Sequence, residues 1–247
     1  MKKYMGCLLI LLTLGLCGCK DDKPKNTLTF AVSAEYPPFE YYQDGKLTGF
    51  DIELAQLIAK ELGKKAVFED MQFSTLLAAL QSNTVDAAIS TLTMTEDRLA
   101  NFAFSDPYYT GTLATVFPKE KPVTDQAQLS KMKVCCLLGA TMEIWLKTHI
   151  PSAEIISMDN SNQVIEALKA SHVDVAFMDG IQAMIFSQKN PSLSYAIIAK
   201  SDDGYGIAFQ KSSPLKDEVN QALKKLKENG KLEKLQKKWL EGTEWRN

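Results

Sequence analysis

A hydroxyl-rich segment followed by an arginine is the part of this chain whose residue types suit ligand binding. Arg98 is one of only two arginines among many lysines, and the other, Arg246, lies next to the C-terminus. A planar guanidinium binds a carboxylate through two parallel hydrogen bonds, which a lysine ammonium cannot do. Ser90, Thr91 and Thr93 lie just upstream and offer further donors. The segment predicts half of a carboxylate site, although an arginine on an exposed helix surface would have the same local sequence.

An aspartate that ends an apolar run is the second candidate. Asp179 follows Val173–Met178 and precedes a predicted helix. Its carboxylate could receive a ligand ammonium group, or it could cap that helix by accepting backbone N–H groups. An α-amino acid carries both a carboxylate and an ammonium group. Arg98 and Asp179 facing each other across a cleft would therefore bind one.

Four further candidates surround these two charges. Thr141 opens a predicted helix, so its hydroxyl could contact a ligand or cap the helix, whose N-terminus would also help Arg98 to bind an anion. Ser33 lies near the end of the first predicted strand, and Tyr36 follows that strand in a loop that two prolines stiffen. Phe73 could form a second aromatic wall, although an isolated phenylalanine is more often a core residue.

The N-terminal segment has the pattern of an export signal. Lys2 and Lys3 precede an apolar stretch of roughly a dozen residues, which is shorter than the ~20 residues of a membrane-spanning helix. Leu16-Cys17-Gly18-Cys19 resembles the lipobox of bacterial lipoproteins, so Cys19 is the predicted lipidation site. An ordinary signal peptide that happens to contain cysteines is the alternative. Residues 1–18 are assigned to the signal and the polar residues 19–26 to a tether.

The composition of the mature chain excludes other kinds of site. Removal of an 18-residue signal leaves 229 residues, with 26 basic and 30 acidic side chains, which predicts no nucleic-acid surface. Cys135 and Cys136 are neighbours in a predicted strand and point to opposite faces, which favours two buried free thiols over a disulfide. His149 and His172 have no cysteine nearby, so neither a metal site nor a cofactor is predicted.

Short β-branched runs alternate with helical periods along the mature chain, as is typical of parallel sheets covered by helices. Strands are predicted over Thr27–Ala34, Ala66–Met71, Val85–Ser90, Lys133–Leu138, Glu154–Met158, Val173–Met178 and Asp203–Phe209. Helices are predicted over Phe50–Gly63, Thr75–Ser82, Met142–His149, Gln163–Ala170, Ile181–Gln188, Pro214–Asn229 and Leu232–Leu240. Arg98 then lies beyond the carboxyl end of a strand, where open α/β sheets bind ligands.

The order of elements repeats, which predicts two similar lobes. The second set begins near Lys131, and Asp179 follows its third strand as Arg98 follows that of the first set. Within the first set, Asp51 is the predicted N-cap of the long helix and Gly63 its C-terminal stop.

Several motifs, in order along the chain, resemble the polar-amino-acid solute-binding proteins of ABC importers, known as extracellular solute-binding proteins of family 3. They are Ala34–Glu40 (AEYPPFE), Gly49–Ala55 (GFDIELA), Thr91–Arg98 (TLTMTEDR), Phe104–Tyr109 (FSDPYY), Gly204–Phe209 (GYGIAF) and Leu235–Trp239 (LQKKW). The resemblance covers essentially the whole mature chain.

The resemblance implies an α/β architecture, the two-lobed type II periplasmic-binding-protein fold, with a mixed, mostly parallel sheet flanked by helices in each lobe. Lobe 1 would comprise residues 27–109 and 206–247, and lobe 2 residues 114–200. Residues 110–113 and 201–205 would form a two-segment hinge. The implied protein is a lipid-anchored monomer at the periplasm or outer face of the cell envelope. It would bind a free L-amino acid, of the polar or basic class, and deliver it to an ABC permease.

Particular residues match the family's ligand contacts by position. Arg98 matches its carboxylate-binding arginine and Asp179 its ammonium-binding aspartate. Ser90, Thr93 and Thr141 match polar contacts, and Tyr36 and Phe73 match aromatic walls. The position of Ser33 often carries an acidic residue in binders of basic amino acids, and Leu137 and Leu138 replace polar residues, so a less polar side-chain pocket is predicted.

Two other functions are compatible with these patterns. The same fold resembles cyclohexadienyl dehydratases, in which a cleft carboxylate acts as a general acid, and Glu35 or Glu143 would be the candidate acid here. The chain could also be an amino-acid sensor that hands its signal to a partner.

Overall fold

The computed structural model describes residues 26–201 and 203–241. The predicted signal, the lipidation of Cys19 and all of the tether except Asn26 lie outside the described residues. Within the described part of the chain, no helix combines the length and the apolar character needed to span a membrane.

Thirteen strands and eight α-helices are described. The strands are β1 Thr27–Val32, β2 Glu35–Tyr36, β3 Glu40–Gln43, β4 Lys46–Thr48, β5 Lys65–Asp70, β6 Ala87–Ala88, β7 Phe102–Phe104, β8 Thr112–Pro118, β9 Lys133–Leu137, β10 Glu154–Met158, β11 Val175–Asp179, β12 Leu193–Lys200 and β13 Ala208–Gln210. The helices are α1 Phe50–Glu61, α2 Leu76–Gln81, α3 Glu96–Asn101, α4 Thr141–His149, α5 Ser161–Lys169, α6 Gly180–Lys189, α7 Leu215–Glu228 and α8 Lys231–Gln236. Short helical turns cover Phe73–Thr75, Gln126–Leu129 and Lys237–Glu241.

The first lobe is built on the sheet β5-β1-β6-β13-β7, which takes strands from both ends of the described chain. β1 runs parallel to β5 and β6, whereas β13 is antiparallel to β6 and β7. Alternate residues of β1 enter two different cores, with Phe30 packed among residues of α1 and α7 and Ala31 against Leu76 and Leu80 of α2. Burial on both faces explains why β1 ends in the continuous apolar run Phe30–Val32.

The second lobe is built on the sheet β10-β9-β11-β8-β12. β9 is parallel to β10 and β11, and β8 is antiparallel to β11 and β12. Cys135 and Cys136 belong to opposite cores of this sheet and are both free, as predicted. Burial raises the pKa of Cys135 to about 11 and that of Cys136 to about 12, so both remain protonated thiols.

The chain passes twice between the lobes, and the two crossings lie side by side. Tyr205 N–H donates to the Tyr109 carbonyl at 2.7 Å, and Ser201 N–H donates to the Gly111 carbonyl at 3.2 Å. The two crossings therefore tie the lobes together through backbone hydrogen bonds.

Several strand predictions were incomplete. β8 and β12 were not predicted. β12 is an edge strand that leaves Tyr195 and Ile197 exposed, so its apolar residues do not mark one buried face. The small sheet β2-β3-β4 was also missed, because its strands have only two to four residues. Only Ala87–Ala88 of the predicted strand Val85–Ser90 pairs as a strand, and β13 replaces the strand predicted over Asp203–Phe209.

The predicted N-cap of the first long helix was wrong. α1 begins at Phe50 with Gly49 as N-cap, and Asp51 points its carboxylate into the core. Gly49 has φ +127°, and a Cβ there would lie 2.1 Å from the Phe39 carbonyl oxygen, so a side chain is excluded. The predicted stop at Gly63 is confirmed by its left-handed φ of +66°.

Candidate functional site

A cavity of about 40 Å³ lies between the two lobes. Five of the predicted site residues line it: Tyr36, Phe73, Thr91, Thr141 and Asp179. The lobes are close together in this arrangement, and they must part to admit a larger molecule.

Arg98 and Gln182 are among the side chains that reach across the cleft. Arg98 Nη2 in the first lobe donates to the Gly139 carbonyl of the second at 2.9 Å. Gln182 Nε2 in the second lobe donates to the Glu35 carbonyl of the first at 3.4 Å. Both hydrogen bonds exist only when the lobes are closed.

Arg98 lies on α3 but is not the exposed helix arginine of the alternative interpretation, since only 7% of it is exposed. Its Nη1 donates to the Thr93 carbonyl at 2.9 Å, and its guanidinium carbon lies 5.7 Å from the centre of the Phe73 ring. Burial lowers its pKa to about 10, so it stays charged at neutral pH. Among the described residues no carboxylate forms an ion pair with it, which leaves this buried cation held by carbonyl groups alone.

Asp179 caps a helix, one of the two roles considered for it, and also lines the cavity. It is 1% exposed, its Oδ1 caps α6 by accepting from Ile181 N–H at 2.8 Å, and it also lines the cavity. Tyr205 Oη donates to its Oδ2 at 2.5 Å. Burial raises the pKa of Asp179, whereas the hydrogen bonds from Tyr205 and from the α6 backbone oppose that rise.

Tyr205 was not predicted as a site residue, although it lies between two glycines in the GYGIAF motif. Its approach to Asp179 depends on Gly111 in the other crossing segment. A Cβ on Gly111 would lie 2.1 Å from Tyr205 Oη and 2.5 Å from Asp179 Oδ2. A side chain at this position would therefore force the two groups apart.

Four predicted site residues are not among those that line the cavity: Ser33, Ser90, Thr93 and Arg98. Ser90 Oγ donates to Glu40 Oε1 at 2.6 Å and accepts from Ser33 N–H at 3.2 Å, so it is committed to the protein interior. Thr93 contributes its carbonyl to Arg98 rather than its hydroxyl to the cavity.

A buried pair of carboxyl groups, Glu40 and Asp51, lies behind the cavity wall and was not predicted. Asp51 Oδ2 accepts from Thr91 N–H and from Tyr108 Oη, both at 2.9 Å. Burial, followed by the neighbouring Asp51, raises the pKa of Glu40 well above its usual range, and burial raises that of Asp51 to about 6. Glu40 Oε2 and Asp51 Oδ1 are both buried without a hydrogen-bond partner, and the raised pKa values favour a proton on one of the two carboxyl groups. The pair thus supports Thr91, a cavity residue with a left-handed φ of +46°.

Thr141 is the first residue of α4, and Ala140 rather than Thr141 is its N-cap. Gly139 N–H donates to Glu143 Oε2 at 2.7 Å, and the Gly139 carbonyl receives Arg98. The loop that leads into α4 is therefore hydrogen-bonded directly to the Arg98 guanidinium.

Residues 28–242 match the family model of bacterial extracellular solute-binding proteins, family 3. The chain belongs to this family. The arginine-binding extracellular protein ArtP of Bacillus subtilis is 34% identical, over 98% of this chain and 99% of that protein. The L-cystine-binding protein TcyJ of Escherichia coli is 30% identical, over 88% and 84% of the two chains. An ancestral arginine-binding protein bound to glutamine superposes with a TM-score of 0.84 at 34% identity, covering 88% of this chain and 99% of that one.

These comparisons confirm the predicted resemblance and the two-lobed type II periplasmic-binding-protein fold. Family membership places this solute-binding protein in the periplasm or at the outer cell surface. The family consists of solute-binding proteins rather than enzymes. Within the described residues, no group of three or more His, Cys, Asp or Glu side chains is arranged to hold a metal ion.

Gln182 is a cavity residue that sequence reasoning missed. It lies one helical turn after Asp179, is 1% exposed, and lines the cavity of this solute-binding protein. The available signal was its position three residues after a helix N-cap aspartate, where a glutamine commonly completes a capping box.

Proposed function

We propose that this solute-binding protein encloses a free L-amino acid between its lobes and delivers it to an ABC-type permease. One observation carries the proposal: a buried cation, Arg98, and a buried carboxylate, Asp179, belong to opposite lobes and do not pair with each other. Asp179 lines the cavity, and Arg98 lies against the ring of the cavity residue Phe73. A zwitterion between them would pair with both.

The carboxylate end of the ligand would meet Arg98 and the start of α4. Arg98 already touches Gly139, and the backbone N–H groups at the N-terminus of α4 favour an anion. The ammonium end would meet Asp179, whose position is held by Tyr205. Contacts from both lobes make closure the state that the ligand favours.

The side-chain pocket would lie among Tyr36, Phe73 and Leu137, which line the same cavity. Arginine, cystine and glutamine are the amino acids in the names of the relatives described above. A polar or basic amino acid with a long aliphatic stem fits this pattern, because the stem packs on aromatic walls while its end group stays polar.

We also propose that the protein is a lipoprotein anchored through Cys19, that it acts as a monomer, and that it is not an enzyme. Neither candidate acid of the dehydratase alternative is suited to catalysis. Although burial raises the pKa of Glu143, its hydrogen bonds with Lys147 and Gly139 lower it overall. Glu35 has a pKa raised by burial but is not among the residues that line the inner cavity.

A thermal-shift screen against the twenty amino acids and L-cystine tests the binding proposal. A ligand at 100 times its Kd adds about 2.7 kcal/mol of stability, which for a chain of this size raises Tm by roughly 5–10 °C. A screen in which no amino acid raises Tm would contradict the proposal. Uptake of the bound amino acid in a strain lacking the protein then separates transport from sensing, since a sensor would leave uptake unchanged.

A further inference from the structure

The sequence Asp-x-x-Gln occurs twice in the described chain in front of a helical segment, and the two copies differ in structure. In the first copy, Asp125 Oδ1 accepts from Ala127 N–H at 2.7 Å, and Gln128 Oε1 accepts from Asp125 N–H at 3.0 Å. This is a complete capping box. It shows what the glutamine of this motif does when it serves only the helix.

In the second copy, the glutamine does not return to its own helix. Asp179 caps α6 through Ile181 N–H, but Gln182 reaches across the cleft and donates from Nε2 to the Glu35 carbonyl. Gln182 Oε1 is buried and accepts no hydrogen bond. An acceptor that is buried without a donor costs free energy, so this arrangement is not explained by helix stability.

The contact with Glu35 also decides which end of the amide is unsatisfied. The Glu35 carbonyl can only accept a hydrogen bond, so the nitrogen of Gln182 must face it. Rotating the amide by 180° would place two carbonyl oxygens together. The unsatisfied atom is therefore the oxygen, and its missing partner is a donor.

Gln182 lies where two compartments of the cleft meet. It lines the inner cavity with Asp179, and it also lines an outer groove of about 300 Å³ between the lobes, together with Glu35, Asn162 and Lys189. A ligand held by Asp179 would have its nitrogen groups within one helical turn of Gln182.

We propose that Gln182 is a ligand-recognition residue, whose Oε1 accepts a hydrogen bond from an N–H group of the bound amino acid. The inference rests on the proposed function. The donor is either the α-ammonium group or a nitrogen of the ligand side chain. In the closed state Gln182 makes two contacts at once, with the ligand through its oxygen and with the opposite lobe through its nitrogen.

The test compares Gln182→Met, Gln182→Glu and a matched control, Gln128→Met, by isothermal titration with L-arginine, L-glutamine and L-cystine. Gln182→Met keeps the length of the side chain but removes the acceptor, and it should weaken binding of the best probe about tenfold or more. Gln182→Glu keeps an acceptor oxygen and should retain most of the affinity. Gln128→Met breaks the complete capping box and should lower Tm without changing Kd.

Three results would overturn the inference. If Gln182→Met binds the probe within twofold of the wild-type affinity, Gln182 Oε1 does not contribute to ligand binding. If Gln182→Met and Gln182→Glu lose the same amount of affinity, the loss comes from the hydrogen bond to the Glu35 carbonyl, which both variants lack. An equal loss in Gln128→Met would show a general effect of stability, and circular dichroism of each variant checks that it is folded. A wild-type protein that binds none of the three probes would instead contradict the proposed function.

Two analogues of the bound probe then identify the donor. One lacks the α-amino group, and the other is L-norleucine, which has no side-chain N–H group. If Gln182→Met still weakens the binding of L-norleucine, the α-ammonium group is the donor. If the substitution still weakens the binding of the analogue that lacks the α-amino group, a nitrogen of the ligand side chain is the donor. If it weakens neither, the inference is overturned.

Discussion

At the scale of single residues, the site is defined by charges that the protein buries and leaves without a counter-charge. Arg98 keeps its charge despite burial because carbonyl groups of Thr93 and Gly139 solvate it. A carboxylate ligand would supply the missing counter-charge and would satisfy both prongs of the guanidinium.

Replacement of Arg98 tests this directly. Arg98→Ala should weaken ligand binding by about 2–5 kcal/mol, or roughly 30-fold to several-thousand-fold, because the ligand carboxylate loses its desolvated partner. Lys224→Ala, on the solvent face of α7, is the matched loss of a positive charge and should leave Kd unchanged. Titration calorimetry measures both, and near-normal affinity of Arg98→Ala would refute the carboxylate assignment.

The pair Glu40 and Asp51 predicts an unusual dependence of stability on pH. A carboxyl group whose pKa is raised by folding stabilises the protein fully below its unfolded pKa, near 4, and that stabilisation is lost as pH rises through the folded pKa, about 6 for Asp51. Glu40→Gln keeps a hydrogen-bond donor toward Asp51 and removes one titrating group. Relative to the wild type, this variant should gain in free energy of unfolding between pH 4.5 and pH 7.5, because it lacks a carboxyl group whose pKa folding raises.

Urea denaturation at the two pH values measures this change. Glu69 is an exposed residue of β5, and Glu69→Gln is the control. Its free energy of unfolding should differ from that of the wild type by the same amount at both pH values. A constant difference for Glu40→Gln as well would mean that the buried pair does not titrate as described.

At the scale of elements, the crossing segments place the site. Gly111 and Tyr205 lie on neighbouring crossings, and the absence of a side chain at Gly111 lets the Tyr205 hydroxyl reach Asp179. The geometry around Asp179 therefore depends on the crossing segments and not only on the strand that carries Asp179.

Gly111→Ala should weaken ligand binding at least tenfold, because the added Cβ displaces Tyr205 or Asp179. Gly45→Ala is the control. Gly45 has φ +73° and no atom near its added Cβ, so it should cost about 1 kcal/mol of stability without changing affinity. Calorimetry and thermal melts of the two variants separate the effects, and equal affinities would count against the role of Gly111.

The elements that sequence patterns predicted well are those with one strong periodicity. α7 has a clear apolar stripe, in which Val219, Ala222, Leu223 and Leu226 are buried, and it was predicted to within a residue at each end. β8 and β12 escaped prediction because they form the antiparallel half of the second sheet. Their place there is set by pairing with each other and with β11, which are non-local contacts.

At the scale of the whole molecule, the two lobes enclose one small cavity between them. The contacts from Arg98 to Gly139 and from Gln182 to Glu35 hold this arrangement. Because the Gln182 hydrogen bond is worth about 0.5–1.5 kcal/mol and that of the charged Arg98 about 1.5–3 kcal/mol, the protein alone should open readily. A ligand that contacts both lobes should shift the population toward the closed form.

Small-angle X-ray scattering should therefore show a smaller radius of gyration when a saturating amount of the bound amino acid is added. An amino acid that gives no thermal shift is the control and should leave the scattering unchanged. Identical profiles with and without the bound amino acid would contradict ligand-driven closure.

The sequence by itself determined the family, the alternation of strands and helices, and the two charged candidates, because motifs, periodicities and rare residue types are local properties. It could not determine which way the polar side chains point. Ser90 turns inward to Glu40, Tyr205 reaches Asp179, and Gln182 leaves its own helix for a carbonyl 147 residues away. Those choices follow from how the lobes pack, since hydrogen-bond partners distant in sequence are brought together only by the tertiary structure.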